Sequence, residues 1–294
     1  MLSGLIAFPM TPMNEKGIDE AAFARLLERL AVSGVDSICA LGSTGNYAYL
    51  TCAERVRIAQ LTVKHAGNVP VLIGIGALRT REVLTLSDEA QKAGARGVLL
   101  APMSYQKLSD DEVFDLYETV TRSLSVPLVV YDNPGTTHFE FSDELYSRIA
   151  QLPNVASIKI PCMPAEAARA RIKQLRALIP AHVTIGISGD ACGATGLNAG
   201  CEAWYSVIGG LFPQATLAIT RAAQAGNVQE ATRLSERLEP LWALFHQHGS
   251  LRVVAAAAEL LGLVDSPCLP LPLKAIVGAD REQLAALIDE LGLA

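Results

Sequence analysis

Lys159 sits in the apolar run Val155-Ala-Ser-Ile-Lys-Ile160, which Pro161 ends. Val155, Ala156, Ile158 and Ile160 give that run the composition of a buried strand. A lysine is seldom fully buried unless something compensates its charge. One chemical reason for its presence is an ε-amine with a pKa lowered by desolvation, ready to attack a carbonyl and form a Schiff base. The structural alternative is a strand-end lysine whose ammonium reaches water.

Other polar residues cluster after apolar runs. Gly42-Ser-Thr-Gly-Asn46 offers small residues, free backbone N–H groups and two hydroxyls just before a helical segment. Such a turn can hold a carboxylate or phosphate, or simply connect a strand to a helix. Tyr131 ends the run Leu128–Tyr131 and heads Tyr131-Asp-Asn-Pro-Gly-Thr-Thr-His138. Its phenol could shuttle a proton, or it could be a core tyrosine hydrogen-bonded to backbone. His138 could contact a substrate or lie on the surface. Ala101-Pro-Met-Ser-Tyr105 and Ser188-Gly-Asp190 complete the set, with Asp190 read as a cap for the helix that follows it.

The elements that must position these residues follow one rhythm. Short apolar runs at Leu5–Phe8, Ser37–Leu41, Val71–Ile75, Gly97–Leu100, Leu128–Tyr131, Val155–Ile160, Val183–Ile187 and Ala203–Val207 read as strands. Helical periodicity fills 19–33, 52–66, 80–93, 110–124, 142–151, 165–178, 190–199 and 213–225 between them. Asp19 is a candidate N-cap, and Thr51 with Glu54 and Ser109 with Glu112 are candidate capping boxes. This alternation predicts an α/β fold closed as a (β/α)8 TIM barrel. A doubly wound open sheet would alternate too, but no G-x-G-x-x-G follows the first strand. Beyond residue 225 the strands stop. Helical stretches at 227–247 and 250–262, a Pro-rich turn from Ser266 and a helix at 280–291 read as a small C-terminal three-helix domain. The expected division is therefore a catalytic barrel over 1–225 and a helical domain over 226–294.

Composition narrows the function classes. Of 294 residues half are hydrophobic, and the formal net charge is −6 with no long run of one sign. Scattered Lys and Arg argue against nucleic-acid binding. No apolar run reaches the roughly 18 residues needed to span a bilayer. The N-terminus lacks a basic region and breaks at Pro9, unlike a signal peptide. Six scattered cysteines without a C-x-x-C pair fit free thiols in a reducing cytoplasm better than disulfides or zinc. The five histidines lack ligand spacing, so no metal and no cofactor is expected.

Taken in order, Gly-Ser-Thr-Gly after the second strand, Tyr-Asp-Asn-Pro ending the fifth, Ser-Ile-Lys on the sixth and Ser-Gly-Asp after the seventh resemble the dihydrodipicolinate synthase/N-acetylneuraminate lyase family. The resemblance spans essentially the whole chain. It implies a class I pyruvate-dependent aldolase on a (β/α)8 barrel. Lys159 would form the Schiff base with pyruvate or another 2-keto acid, and Tyr131 would relay protons. Ser43 and Thr44 would hold the keto-acid carboxylate, Tyr205 would line the pocket floor, and the partner substrate would be an aldehyde. It also implies a cytoplasmic homotetramer, a dimer of dimers.

The departures concern the second substrate. Family members that make dihydrodipicolinate carry an arginine where Thr136 stands, to grip that substrate's carboxylate bidentately. Their Pro-Tyr-Tyr is here Pro102-Met-Ser-Tyr105, so Ser104 takes the place of the tyrosine that reaches into the neighbouring subunit, and Tyr105 comes one residue late. Asn46 replaces a glutamate, Cys52 and Arg55 stand where histidines often occur, and Leu78 stands for asparagine, so no inhibition by lysine is expected. Three readings follow: a Schiff-base lyase with another substrate, the synthase itself, and a non-catalytic keto-acid-binding paralogue.

Overall fold

The computed structural model describes residues 2–293. Eight parallel strands close into a barrel: β1 (Gly4–Ala7), β2 (Ser37–Ala40), β3 (Val71–Gly74), β4 (Gly97–Leu100), β5 (Leu128–Tyr131), β6 (Val155–Ile160), β7 (Thr184–Ser188) and β8 (Ala203–Ser206). The (β/α)8 expectation holds. Each strand is followed by its helix: α1 (Glu20–Ala31), α2 (Cys52–His65), α3 (Thr80–Ala93), α4 (Asp110–Thr121), α5 (Asp143–Ala150), α6 (Ala165–Leu178), α7 (Gly193–Ala199) and α8 (Pro213–Gln224).

The caps form as the sequence predicts. Asp19 accepts a hydrogen bond from the Ala22 amide at 2.9 Å, and both capping boxes close reciprocally. Each such cap contributes about 1 kcal/mol to helix stability. Asp190 behaves differently. Its carboxylate accepts from Ser206 Oγ at 2.8 Å and from the Ile208 amide at 3.0 Å, so it ties down the 3-10 turn Ile208–Gly210 and not its own helix.

Strand alternation sorts side chains into two cores. Outward residues such as Ile158, Ile160 and Val130 pack under the helices. Inward residues, including Ile6, Phe8, Val129, Tyr131 and Tyr205, fill the barrel lumen. On β6 the pattern is reset by a bulge. Leu128 pairs with Val155, but Val129 pairs with Ser157, which leaves Ala156 as the extra residue. An inserted residue reverses the facing of everything after it. Ser157 and Lys159 thereby turn inward, while Val155 faces the helices.

Four helices follow the barrel: α9 (Val228–Glu236), α10 (Glu239–His248), α11 (Ser250–Leu260) and α12 (Gly278–Glu290). The expected single helix over 227–247 breaks at Arg237 and Leu238, because Pro240 lies in the first turn of a new helix, where its missing N–H costs nothing. The expected three-helix group is therefore made by α10, α11 and α12, which pack on one another, while α9 packs on α7 and α8. A short hairpin, Met13–Asn14 with Gly17–Ile18, was not anticipated.

The cysteine expectation is corrected in part. Cys162 and Cys192 form a disulfide with Cα atoms 5.6 Å apart, while Cys39, Cys52, Cys201 and Cys268 are free. Closure of the barrel sets the loop after β6 beside the turn after β7, which brings together two residues 30 apart in sequence. No helix among the described residues is long and apolar enough to cross a membrane.

Candidate active site

Tyr131 and Lys159 are register partners across β5 and β6, so they emerge side by side at the C-terminal end of the barrel. In (β/α)8 enzymes that end carries the chemistry. Lys159 is only 4 % exposed. Its Nζ lies 4.0 Å from the Tyr131 ring centroid, 4.4 Å from that of Phe8 and 5.8 Å from that of Tyr205. No carboxylate pairs with it among the described residues. The amine is thus held by ring faces, which favour a cation by about 2 kcal/mol when desolvated, while its lone pair, once free, has no ionic partner to leave. The strand-end reading, with an ammonium in water, does not describe this burial.

The Tyr131 hydroxyl is the hub of the polar network. It lies 3.2 Å from Ser43 Oγ and accepts a hydrogen bond from Asn133 Nδ2 at 2.9 Å. Burial pushes this phenol up, but the positive charge of Lys159 and the bonds from Asn133 and Ser43 outweigh it and hold the phenol below its ordinary value. A proton can therefore leave Tyr131 more readily than an unassisted phenol would allow.

Ser43 is placed by a strained turn. Leu41 and Asn46 adopt left-handed backbone at φ 60° and 57°, and the Leu41 carbonyl rests against Gly74, where any Cβ would collide. The Ser43 and Thr44 amides make no hydrogen bond among the described residues. Ser43 reaches the lysine cavity, whereas Thr44 is buried and lines the chamber outside it. Tyr205 lines the lysine cavity from β8. Its hydroxyl donates to Ser157 Oγ at 2.7 Å, and its ring crosses the barrel where Gly186 has no side chain.

Two adjoining spaces result. An inner cavity of about 400 Å³ contains Lys159, Tyr131, Ser43, Asp190 and Tyr205. Burial raises the Asp190 carboxyl to about 6, against the opposing Ile208 amide, Ser206 hydroxyl and Lys159 charge. An outer chamber of about 680 Å³ holds Thr44, Tyr49, Tyr105, His138 and Arg252. Ser43, Thr136 and Ser250 line both. Tyr105, 91 % exposed, lines the outer chamber but not the lysine cavity, and is not brought to Lys159 within its own chain.

Several contributors were not read from the sequence. Asn133 and Phe8 act through contacts that only barrel closure creates. Trp242, Phe245, His246 and Ser250, from α10 and the start of α11, roof the inner cavity. Arg55 is buried and donates to the carbonyls of Gly74 and Gly76, bracing the end of β3 beneath the Ser43 turn.

The family model described as the dihydrodipicolinate synthetase family matches residues 1–291. A 4-hydroxy-tetrahydrodipicolinate synthase from Acidiphilium cryptum is 30% identical over 303 residues, covering 100% of this chain and 99% of that protein. The crystal structure of a dihydrodipicolinate synthase from Agrobacterium tumefaciens superposes with a TM-score of 0.95 at 43% identity, covering 98% of each chain. A prophage protein of the dihydrodipicolinic acid synthase family from E. coli K12, solved in complex with pyruvate, superposes with a TM-score of 0.91 at 27% identity over the whole of both chains.

Proposed function

This chain belongs to the dihydrodipicolinate synthetase family and is a lyase of that family, and from that premise we propose that it acts on pyruvate or another 2-keto acid through a Schiff base on Lys159. The observation that carries this reading is the convergence of the Lys159 amine, the Tyr131 phenol and the Ser43 hydroxyl at one end of the barrel. The amine adds to the keto carbon. Tyr131 gives its proton to the resulting alkoxide, takes one back from the carbinolamine nitrogen, and passes it to the departing hydroxyl, which leaves as water. Ser43, at hydrogen-bond distance, and Asn133, donating to the phenol oxygen, stabilise Tyr131 in its deprotonated form. The free amides of Ser43 and Thr44 receive the keto-acid carboxylate, and Tyr205 closes the floor beneath the imine. Carbon–carbon bond making or breaking, or loss of water from the neighbouring carbon, then proceeds from the enamine.

The partner substrate is an aldehyde or a sugar-derived tail other than aspartate semialdehyde, because neutral Thr136, on the wall shared by both spaces, cannot grip a carboxylate held as close to the keto-acid site as that short semialdehyde's would be. Synthesis of 4-hydroxy-tetrahydrodipicolinate is the second reading, supported by the name of the Acidiphilium relative. We place the protein in the cytoplasm as a dimer of dimers on the family resemblance. The outward projection of Tyr105 beside exposed Tyr49 and Leu78 supports contact with a second subunit.

Borohydride reduction with pyruvate tests the mechanism. A pyruvyl adduct is expected on Lys159 of the wild-type chain and on no residue of Lys159→Ala. A wild-type protein that leaves Lys159 unmodified overturns the reading.

A further inference from the structure

The lysine cavity does not end at Lys159. Ser43, Thr136 and Ser250 belong to its wall and equally to the wall of the outer chamber, so a molecule bound at the lysine can extend past them. Across both spaces, Lys159 and Arg252 are the only lysine or arginine side chains in the walls among the described residues. Arg252 belongs to α11, outside the barrel.

Arg252 is exposed, so folding alone does not call for its charge, and no charged partner among the described residues holds it. Arg252 forms no ion pair among the described residues, and its one hydrogen bond, from Nη1 to the His248 carbonyl, is long at 3.3 Å. It lies in the first turn of α11, which carries no acidic residue. A cation at a helix N-terminus opposes the helix dipole, so the helix itself gains nothing from it. The guanidinium folds back over Gly249, the elbow between α10 and α11, at 3.6 Å from the place a side chain would occupy there. Its remaining N–H groups make no hydrogen bond among the described residues and are open to solvent or a ligand.

We propose that Arg252 determines substrate specificity by binding a carboxylate at the far end of the keto acid or of its aldehyde partner, in the outer chamber, while Lys159 holds the keto carbon in the inner one. The inference rests on the Schiff-base reading and adds the class of substrate tail. A guanidinium fork matches a carboxylate with two parallel hydrogen bonds. A single positive charge balances a carboxylate, whereas a phosphate dianion would leave excess negative charge in a chamber with no second lysine or arginine. Thr136 carries no charge between the two cations and lets the tail pass.

The test needs no knowledge of the natural substrate. In imine formation the Lys159 amine adds to the C2 carbonyl and the carbonyl oxygen departs as water; borohydride then reduces the C=N bond to a stable secondary amine. Half-saturation of this trapping is measured for 2-oxoglutarate, 2-oxoadipate and 2-oxopimelate against 2-oxopentanoate, 2-oxohexanoate and 2-oxoheptanoate, with pyruvate as the control in each protein. At least one dicarboxylate should half-saturate at about tenfold lower concentration than its neutral counterpart. Arg252→Gln should bring that pair to within about twofold, and Arg252→Lys should keep part of the preference. Pyruvate, too short to reach the outer chamber, should shift less than the dicarboxylate. No preference in the wild-type chain, or a preference that survives Arg252→Gln, overturns the inference while a pyruvyl adduct leaves the Schiff-base reading standing. No pyruvyl adduct on Lys159 overturns both.

Discussion

The inner cavity and the outer chamber share three residues but are built from different parts of the chain. The reactive groups of the inner cavity stand on β5 and β6 and on the turn after β2, and their spacing is set by strand register. The outer chamber is built from loop tips and from the elbow between α10 and α11, which no strand ladder positions. The comparison teaches that the step proposed for Lys159, binding a keto acid as an imine, falls on the rigid part. Choice of the second substrate sits on parts that can change without disturbing it.

The largest effect that would sharpen this contrast falls on the inner side. Tyr131→Phe removes the proton carrier but leaves Lys159 and the ring that shields it. Turnover should fall on the order of 10²–10³-fold, with a pyruvyl adduct still forming, more slowly, under borohydride. Turnover within a few fold of wild type would move the proton relay away from Tyr131.

A smaller effect is expected from a change in the wall between the two spaces. Thr136→Arg restores a fixed cation beside the keto-acid site. Activity with pyruvate and aspartate semialdehyde, measured in a coupled assay, should rise by about tenfold. Trapping of pyruvate alone should change much less. An equal change in both would mean that the two regions are not separable.

A third effect, on stability and not on turnover, leaves both regions alone. Asp132 follows Tyr131 but projects to the other side of β5, where Tyr146 donates to its carboxylate and Oδ1 has no partner. Burial, opposed by that hydrogen bond and by Arg171, raises the Asp132 carboxyl from 3.8 to about 6. The folded state therefore holds the proton more tightly than the unfolded chain does. The stabilisation this gives is complete below about pH 4 and is lost as pH rises through about 6. Relative to Asp132→Asn, the wild-type chain should lose on the order of 2–3 kcal/mol of unfolding free energy across that window. Parallel profiles for the two proteins would contradict the assignment.

How far the site could be read from sequence follows the same division. Lys159 was legible because an amine in an apolar run is costly and so needs a reason. Tyr131 was legible from its place at a strand end, and the Ser43 turn from its small residues and hydroxyls. Asp19, Thr51 and Ser109 were legible because capping is local. Asn133 and Phe8 were not, since their contacts with Tyr131 and Lys159 exist only after eight strands close. Cys162 and Cys192 looked scattered for the same reason. Arg252 and His246 lie roughly a hundred residues from the groups they face, in helices whose local pattern reads simply as packing. Pro240 was the exception. It was a visible local signal for the break between α9 and α10, and periodicity masked it.

Ala156 makes no entry in either chamber, yet the orientation of Lys159 depends on it. Were Ala156 paired in the ladder and not bulged out, β6 would keep the phase set at Val155 and turn its amine outward among the helices. Correct folding and reactivity are therefore read out together. A refolded or redesigned barrel that captures pyruvate has β6 seated with its bulge in place, and one that folds compactly but captures nothing is open to suspicion of a one-residue slip. On the proposed mechanism, Lys159 thus doubles as a chemical gauge of strand registration for the whole barrel.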